Sequence, residues 1–182
     1  MKNLVVVALL LLWNTSHAYE QTFETCSIGA WTLFNNIQNY ILGVPLEKLK
    51  TQPGIPQSEV ERLEFVYNLA KTKGIENIYM IAHAAYFKCS KNVAQKKLSS
   101  SLSQKEGAYQ ECASKSTTRT TVLLQIAKGA PITEAKSKAP KQVHELIDTM
   151  YQLAQEKNLT KALVISAEMH NSCVNKVFDR FP

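Results

Sequence analysis

The chain lacks long apolar runs: only one stretch, Leu4 to Trp13, is continuously apolar over about ten residues. A membrane-crossing helix needs roughly 20 such residues, so this stretch is too short to span a bilayer. It follows the basic start Met1-Lys2-Asn3 and precedes Asn14-Thr15-Ser16-His17-Ala18. That is the pattern of a secretory signal peptide, read here as residues 1–18 with cleavage after Ala18. The mature chain is therefore expected to be secreted or periplasmic and not transmembrane.

Local catalytic signatures are missing as well. There is no Gly-rich phosphate loop, no His-Glu-x-x-His and no Gly-x-Ser-x-Gly. Those absences exclude the enzyme classes that such motifs define, but a triad assembled from distant residues leaves no local trace. Glu-x-x-His, the ligand pair of helical di-metal bundles, is absent too. There is no specific nucleic-acid motif, and no cofactor is expected. No strand-like alternation competes with helical spacing, so the expected class is all-α.

Cysteine is scarce but even in number: Cys26, Cys89, Cys112 and Cys173. Behind a signal peptide, four cysteines read as two disulfides, which leaves no free thiol nucleophile. Charge is abundant and of one prevailing sign. Loss of Lys2 with the leader takes the formal charge from +6 to +5. The excess favours weak attraction to anionic surfaces such as phospholipid, nucleic acid or polysaccharide. The same composition equally suits a lysine-rich solvated surface.

What the chain does have is a repeat. "YNLAKTKGIENIYMIAHAAYFKCSKNV" from Tyr67 is echoed by "YQLAQEKNLTKALVISAEMHNSCVNKV" from Tyr151. An offset of 84 pairs Pro56 with Pro140, Tyr67 with Tyr151, Cys89 with Cys173 and Val93 with Val177. An offset of 86 pairs Phe23 with Tyr109, Cys26 with Cys112, Gly43 with Gly129 and Pro45 with Pro131. The two-residue difference falls between Pro45 and Pro56, where a loop absorbs it. Each unit thus owns one front and one back cysteine. The simplest pairing is Cys26 with Cys89 and Cys112 with Cys173. Each bridge closes a loop of about 60 residues, worth roughly 4 kcal/mol on chain-entropy grounds.

Helical spacing supplies three helices per unit. Ile28, Trp31, Phe34, Ile37 and Ile41 mark the first, stopped by Gly43 and Pro45. Ser58 and Glu61 have the form of a capping box that opens the second, ended by Gly74. Ile78, Ala82, Ala85, Cys89 and Val93 mark the third. In the other half Val122 and Ile126 lie in a first helix crowded with Thr and Ser. Leu146, Ile147 and Met150 mark the second, and Leu159, Ala162, Met169, Cys173 and Val177 the third. The disulfide makes helices one and three antiparallel, so the connector from Gly43 to Gln57 must run back along the unit. The expected architecture is two duplicated three-helix units, each clamped by one disulfide and packed with pseudo-two-fold symmetry. Their bounds are residues 19–93 and 112–182. Residues 94–111 read as a flexible linker or a marginal exposed helix.

Candidate chemistry is sparse. Lys88, Lys91, Lys96, Lys97 and Lys105 form the densest basic region, suited to an anionic lipid or polymer, or simply to solubilising the linker. Each is worth about 1 kcal/mol near an anionic membrane. Glu61 and Glu64 share one helix face, as do Glu145 and Asp148, with His144 nearby. Gathered by symmetry, these five are an alternative metal or acid–base cluster, although solvated acids near a helix start explain them more simply. Tyr79, His83 and Tyr86 lie on one helix face, as a polar-aromatic pocket or as ordinary packing between units, and packing is preferred. Glu168 and His170 are two apart and point to different faces. Asn158-Leu159-Thr160 is a glycosylation sequon, and Thr160 reads as an N-cap.

With one cysteine at each end of a helical unit of about 65 residues and the Cys–Gly-x-Pro–Cys order, the mature chain resembles small secreted or periplasmic all-helical proteins of gamma-proteobacteria. Its leader and its Lys, Asn and Gln content also resemble effectors that Legionella-type bacteria export by the type II system. The resemblance implies a non-catalytic virulence effector acting at a host or envelope surface and binding phosphoinositide-like headgroups. The expected function is accordingly a secreted helical binding protein with an anionic-membrane or protein partner. The alternatives are a metal-binding or hydrolytic bundle, and an inhibitor or adaptor that uses a Pro-containing connector.

Overall fold

The computed structural model describes residues 21–96 and 102–182. The signal-peptide stretch and Lys97 lie outside the described residues. Every regular element among them is helical: α1 Phe23–Ile41, α2 Leu46–Lys50, α3 Gln57–Lys73, α4 Ile75–Lys96, α5 Gln104–Ala127, α6 Ile132–Ser137, α7 His144–Lys157 and α8 Leu159–Arg180. A 3-10 turn, Lys141–Val143, leads into α7. The class is all-α, as the spacing of apolar residues predicts.

The four long helices α1, α4, α5 and α8 pack on one another as the central bundle. α3 flanks α1 and α4, while α7 flanks α5 and α8. The disulfides are Cys26–Cys89, which joins the start of α1 to the end of α4, and Cys112–Cys173, which joins α5 to α8. Both agree with the pairing read from the repeat. Tyr67 Oη donates to the Val44 carbonyl at 2.7 Å, and Tyr151 Oη donates to the Ala130 carbonyl at 2.7 Å. Each tyrosine pins the end of a long helix to the flanking helix of its own half.

Several local expectations are corrected. The buried stripe of α1 runs through Phe23, Cys26, Ala30, Leu33, Phe34 and Ile37, leaving Ile28 and Trp31 half-buried and Ile41 exposed. Ile41 ends its helix just before Gly43 turns the chain at positive φ, beyond the reach of the core. Ser58 caps nothing, because α3 starts one residue earlier behind Pro56 and no side chain caps it. The Gly43–Gln57 connector is not simply extended: it winds into α2, and Lys50 of that helix pairs with Glu64 at 2.6 Å. Of the two readings of the segment before Cys112, residues 104–111 take the helical one, but as a packed helix rather than an exposed one, since α5 starts at Gln104 and buries Glu106 and Tyr109.

Glu106 explains why that turn is ordered. Its carboxylate accepts from the Phe23 N–H at 2.6 Å and the Glu24 N–H at 3.1 Å. These are free donors at the start of α1, which an acceptor must satisfy when the helix end is covered. Thr22 and Thr25 complete the cap from within the same segment.

Candidate functional site

The centre of the bundle is polar. His83 of α4 and His170 of α8 are both buried, at 1% and 0% exposure. His83 Nε2 lies 3.1 Å from the Leu163 carbonyl, and His170 Nε2 lies 3.1 Å from the Ser27 carbonyl. A carbonyl only accepts, so each ring carries its proton on Nε2. Thr120 Oγ1 sits 3.3 Å from His83 Nδ1 and donates to it. Burial lowers both histidines to about 4, with the Arg119 charge adding to the effect. Tyr86 meets Ser27 Oγ at 3.0 Å, and burial raises its phenol to about 12. Tyr79, His83 and Tyr86 are therefore core packing between helices: Tyr79 stacks on Phe34, and Tyr86 leans on His170.

Arg119 stands beside this core and is only 7% exposed. Its Nε has no hydrogen-bond partner. Burial lowers its pKa, and among the described residues no carboxylate forms an ion pair with it. A buried cation without a counter-charge is costly to the extent that water is removed from it. α5 places it there by helical spacing. Cys112, Ser116, Arg119, Thr120 and Leu123 are all buried on the face that meets α8.

The Arg119 side chain lines a cleft of about 300 Å³ between α5 and α8. Lys115, Lys176 and Arg180 also line it, against the single carboxylate of Glu111. Lys115 holds Glu111 at 2.5 Å, and this bond keeps the carboxyl below its ordinary pKa. Arg180 rests its guanidinium 5.1 Å from the Phe181 ring. The cleft is thus a concave, cationic surface with a recessed arginine, suited to one anionic group. Nothing in it has the arrangement of a nucleophile and its base.

A second cleft, of about 470 Å³, lies on the other flank of α8. Asn35, Gln38, Asn171 and Asn175 line it, together with Glu168 and Asp179. Asn171 donates to Asn35 Oδ1 at 2.8 Å, and Trp31 Nε1 donates to Asn175 Oδ1 at 2.9 Å.

The residues singled out from sequence fall elsewhere. Lys88, Lys91 and Lys96 are exposed on α4, whereas Lys105 is half-buried and paired with Glu24 at 3.0 Å. Glu64 pairs with Lys50, and Asp148 pairs with Lys136 at 2.5 Å. His144 Nε2 donates to the carbonyls of Lys136 and Ala139 at 3.0 and 3.2 Å. Glu61 and Glu145 are exposed on α3 and α7. Among the described residues no group of three His, Cys, Asp or Glu side chains is placed to hold a metal ion. Thr160 is not the cap of α8. Asn158 is, accepting from the Lys161 N–H at 3.0 Å, while Thr160 donates to Glu76 at 2.8 Å.

Sequence reading missed Arg119 because one arginine among 21 basic residues carries no label. The available signal was its position seven residues after Cys112, on the cysteine-bearing face of a helix. Met169 was also misread. It is not core: it stands 42% exposed and lines the Arg119 cleft.

The fold and the cleft together define a disulfide-clamped helical bundle with a recessed cationic cleft. No protein-family model matches the chain, and no curated protein or solved structure matches it either. Among the described residues, no helix is long and apolar enough to cross a membrane.

Proposed function

We propose that this is a secreted binding protein that recognises an anionic group, on a membrane surface or on a partner, through the Arg119 cleft. One observation carries the reading: a buried guanidinium with no counter-charge among the described residues, opening on a cleft with three further cations. An anion bound there supplies the missing charge, which makes binding favourable where folding alone leaves a cost. Secretion and an effector role are supported by the leader pattern and by two disulfides, which persist in oxidising compartments. The duplication of the chain belongs to the same proposal, supported by the matched cysteines and the matched tyrosine hydrogen bonds.

Flotation with vesicles of phosphatidylcholine alone, and of phosphatidylcholine with an acidic phospholipid, tests the membrane form of the reading at low and high salt. Binding to the acidic vesicles that weakens with salt and is lost in Arg119→Met is expected. The absence of such binding, together with no binding of inorganic phosphate by calorimetry, refutes the anion reading.

A second reading, as an adaptor, is supported by Ile41 and Leu42, which are 43% and 68% exposed beside the Pro-containing connector. Loss of a captured protein partner on Leu42→Ser, with vesicle binding unchanged, is the outcome that favours it.

A further inference from the structure

We infer that the ligand of the Arg119 cleft is an amphipathic anion: one phosphate or carboxylate head carried on an apolar body. The inference rests on the anion-binding reading above and narrows it. Depth is the first argument. At 7% exposure Arg119 is recessed, so a flat array of surface charges does not reach it, and only a projecting head does.

The walls are the second. Between the cations they are apolar: Ala108, Met169 and Val177, with the Cys112–Cys173 disulfide. Apart from the charged groups, the Ser172 hydroxyl is the only polar side-chain group lining the cleft. With the cations engaged by the anionic head and Glu111 held by Lys115, a polyhydroxylated anion would find little beyond Ser172 for its hydroxyls, and each one left unpaired costs free energy. The amide-rich cleft across α8 has the donors and acceptors a polyol needs, but no buried cation. The two clefts meet at Ser172 and Lys176, but only the Arg119 cleft holds a buried cation and apolar walls.

Met169 is the third. It is one of three large apolar side chains exposed among the described residues, and it lies at this cleft rather than in the core. A flexible, polarizable thioether accommodates alkyl chains of varied shape. A volume of about 300 Å³ admits a head and the first few methylenes, and leaves the remainder outside.

The test is calorimetric titration of the full mature chain, disulfides intact, at low salt. The probes are inorganic phosphate, octyl phosphate and octyl glucoside, each kept monomeric. Octyl phosphate is expected to bind roughly 50-fold more tightly than inorganic phosphate, the effect of burying about three methylenes. Octyl glucoside, with the same chain and no charge, is expected not to bind. Arg119→Met removes the anchor. Met169→Glu places a carboxylate at an exposed rim position that folding does not need, so it tests the cleft even if Arg119→Met fails to fold. Both variants are expected to lose octyl phosphate. Equal affinity for inorganic and octyl phosphate overturns this inference and leaves the anion reading standing. Binding of neither anion overturns both.

Vesicles bearing an acidic phospholipid separate the two sources of such a ligand. Displacement of the protein from them by octyl phosphate assigns the cleft to a lipid headgroup. Octyl phosphate binding without vesicle binding assigns it to a soluble amphiphile. Vesicle binding that survives octyl phosphate and both substitutions overturns the inference.

Discussion

His83 Nε2 lies 3.1 Å from the Leu163 carbonyl, a hydrogen bond that joins α4 to α8 across 80 residues of chain. It holds one tautomer of a neutral ring in a buried site that penalises a second proton. His170 is held in the same way against Ser27. Both rings titrate near 4 in the fold, against 6.5 for a free histidine, because burial penalises the cation. The unfolded chain therefore binds these protons first as pH falls. Stability is expected to be fully present above about pH 6.5 and to decline toward pH 4, by on the order of 3 kcal/mol per histidine. Urea unfolding across that range checks it. In a folded His83→Gln variant, which removes one titrating ring, the slope should roughly halve. A stability that is flat between pH 6.5 and 4 refutes the account.

Arg119 is expected to stabilise nothing. Replacing an unpaired buried cation by Met, of similar length, removes the desolvation cost and keeps the packing. Arg119→Met should raise the unfolding free energy by about 1–3 kcal/mol, measured by urea titration, while anion binding is lost. A large destabilisation would mean that the guanidinium has a structural partner.

Gly74 and Asn158 hold equivalent turns with the same backbone, φ 82 and ψ 164 against φ 70 and ψ 164. That region is almost closed to residues with a Cβ. Asn158 also caps α8, but Gly loses only a few tenths of a kcal/mol at an N-cap position. Asn158→Gly is therefore expected to stabilise the fold by about 1 kcal/mol, and Gly74→Asn to destabilise it by a similar amount. Thermal unfolding of both variants decides the sign.

Glu106→Ala removes the carboxylate that accepts from Phe23 and Glu24 and leaves the start of α1 unsatisfied. A loss of roughly 2–3 kcal/mol is expected. Ser103→Ala removes the neutral cap of α5, one bond at 3.1 Å, and should cost about 1 kcal/mol. Comparing the two by urea unfolding tests whether Glu106 is a bridge between helices or only a first-turn acid.

The bridges Cys26–Cys89 and Cys112–Cys173 close sequence separations of 63 and 61 residues. Each pair of Cys→Ala substitutions should cost about 4 kcal/mol and change the other bridge little. Non-reducing peptide mapping should recover these two bridges. A Cys26–Cys112 peptide would overturn the assignment.

Much of the fold was legible because its signals are local or repeated. The spacing of Ile78, Ala82, Ala85 and Cys89 announces a helix without reference to any other residue. The matched positions of four cysteines choose one pairing of three. Tyr67 and Tyr151 stand out as aligned, although their hydrogen bonds to Val44 and Ala130 do not. The misread positions depend on a neighbour far away in sequence. Met169 shares helical spacing with Cys173, yet it stands exposed at the cleft between α5 and α8. Glu106 carried no signal in the sequence, because its carboxylate serves the start of α1, 82 and 83 residues away. The acids on α3 and α7 form matching pairs on paper and separate ion pairs in space.

Class and disulfide pairing were determined by the sequence itself, through periodicity and repetition that need no partner, whereas the short helices α2 and α6 raise the three helices read per half to four. The site was decided only by tertiary structure. A lysine on the exposed face of α4 and an arginine buried beside a cleft differ in surroundings far more than in composition. What separates them is desolvation, and that depends on which helix packs over the residue. The packing of α5 against α8 buries Arg119 without a counter-charge, while Lys88, Lys91 and Lys96 remain in water.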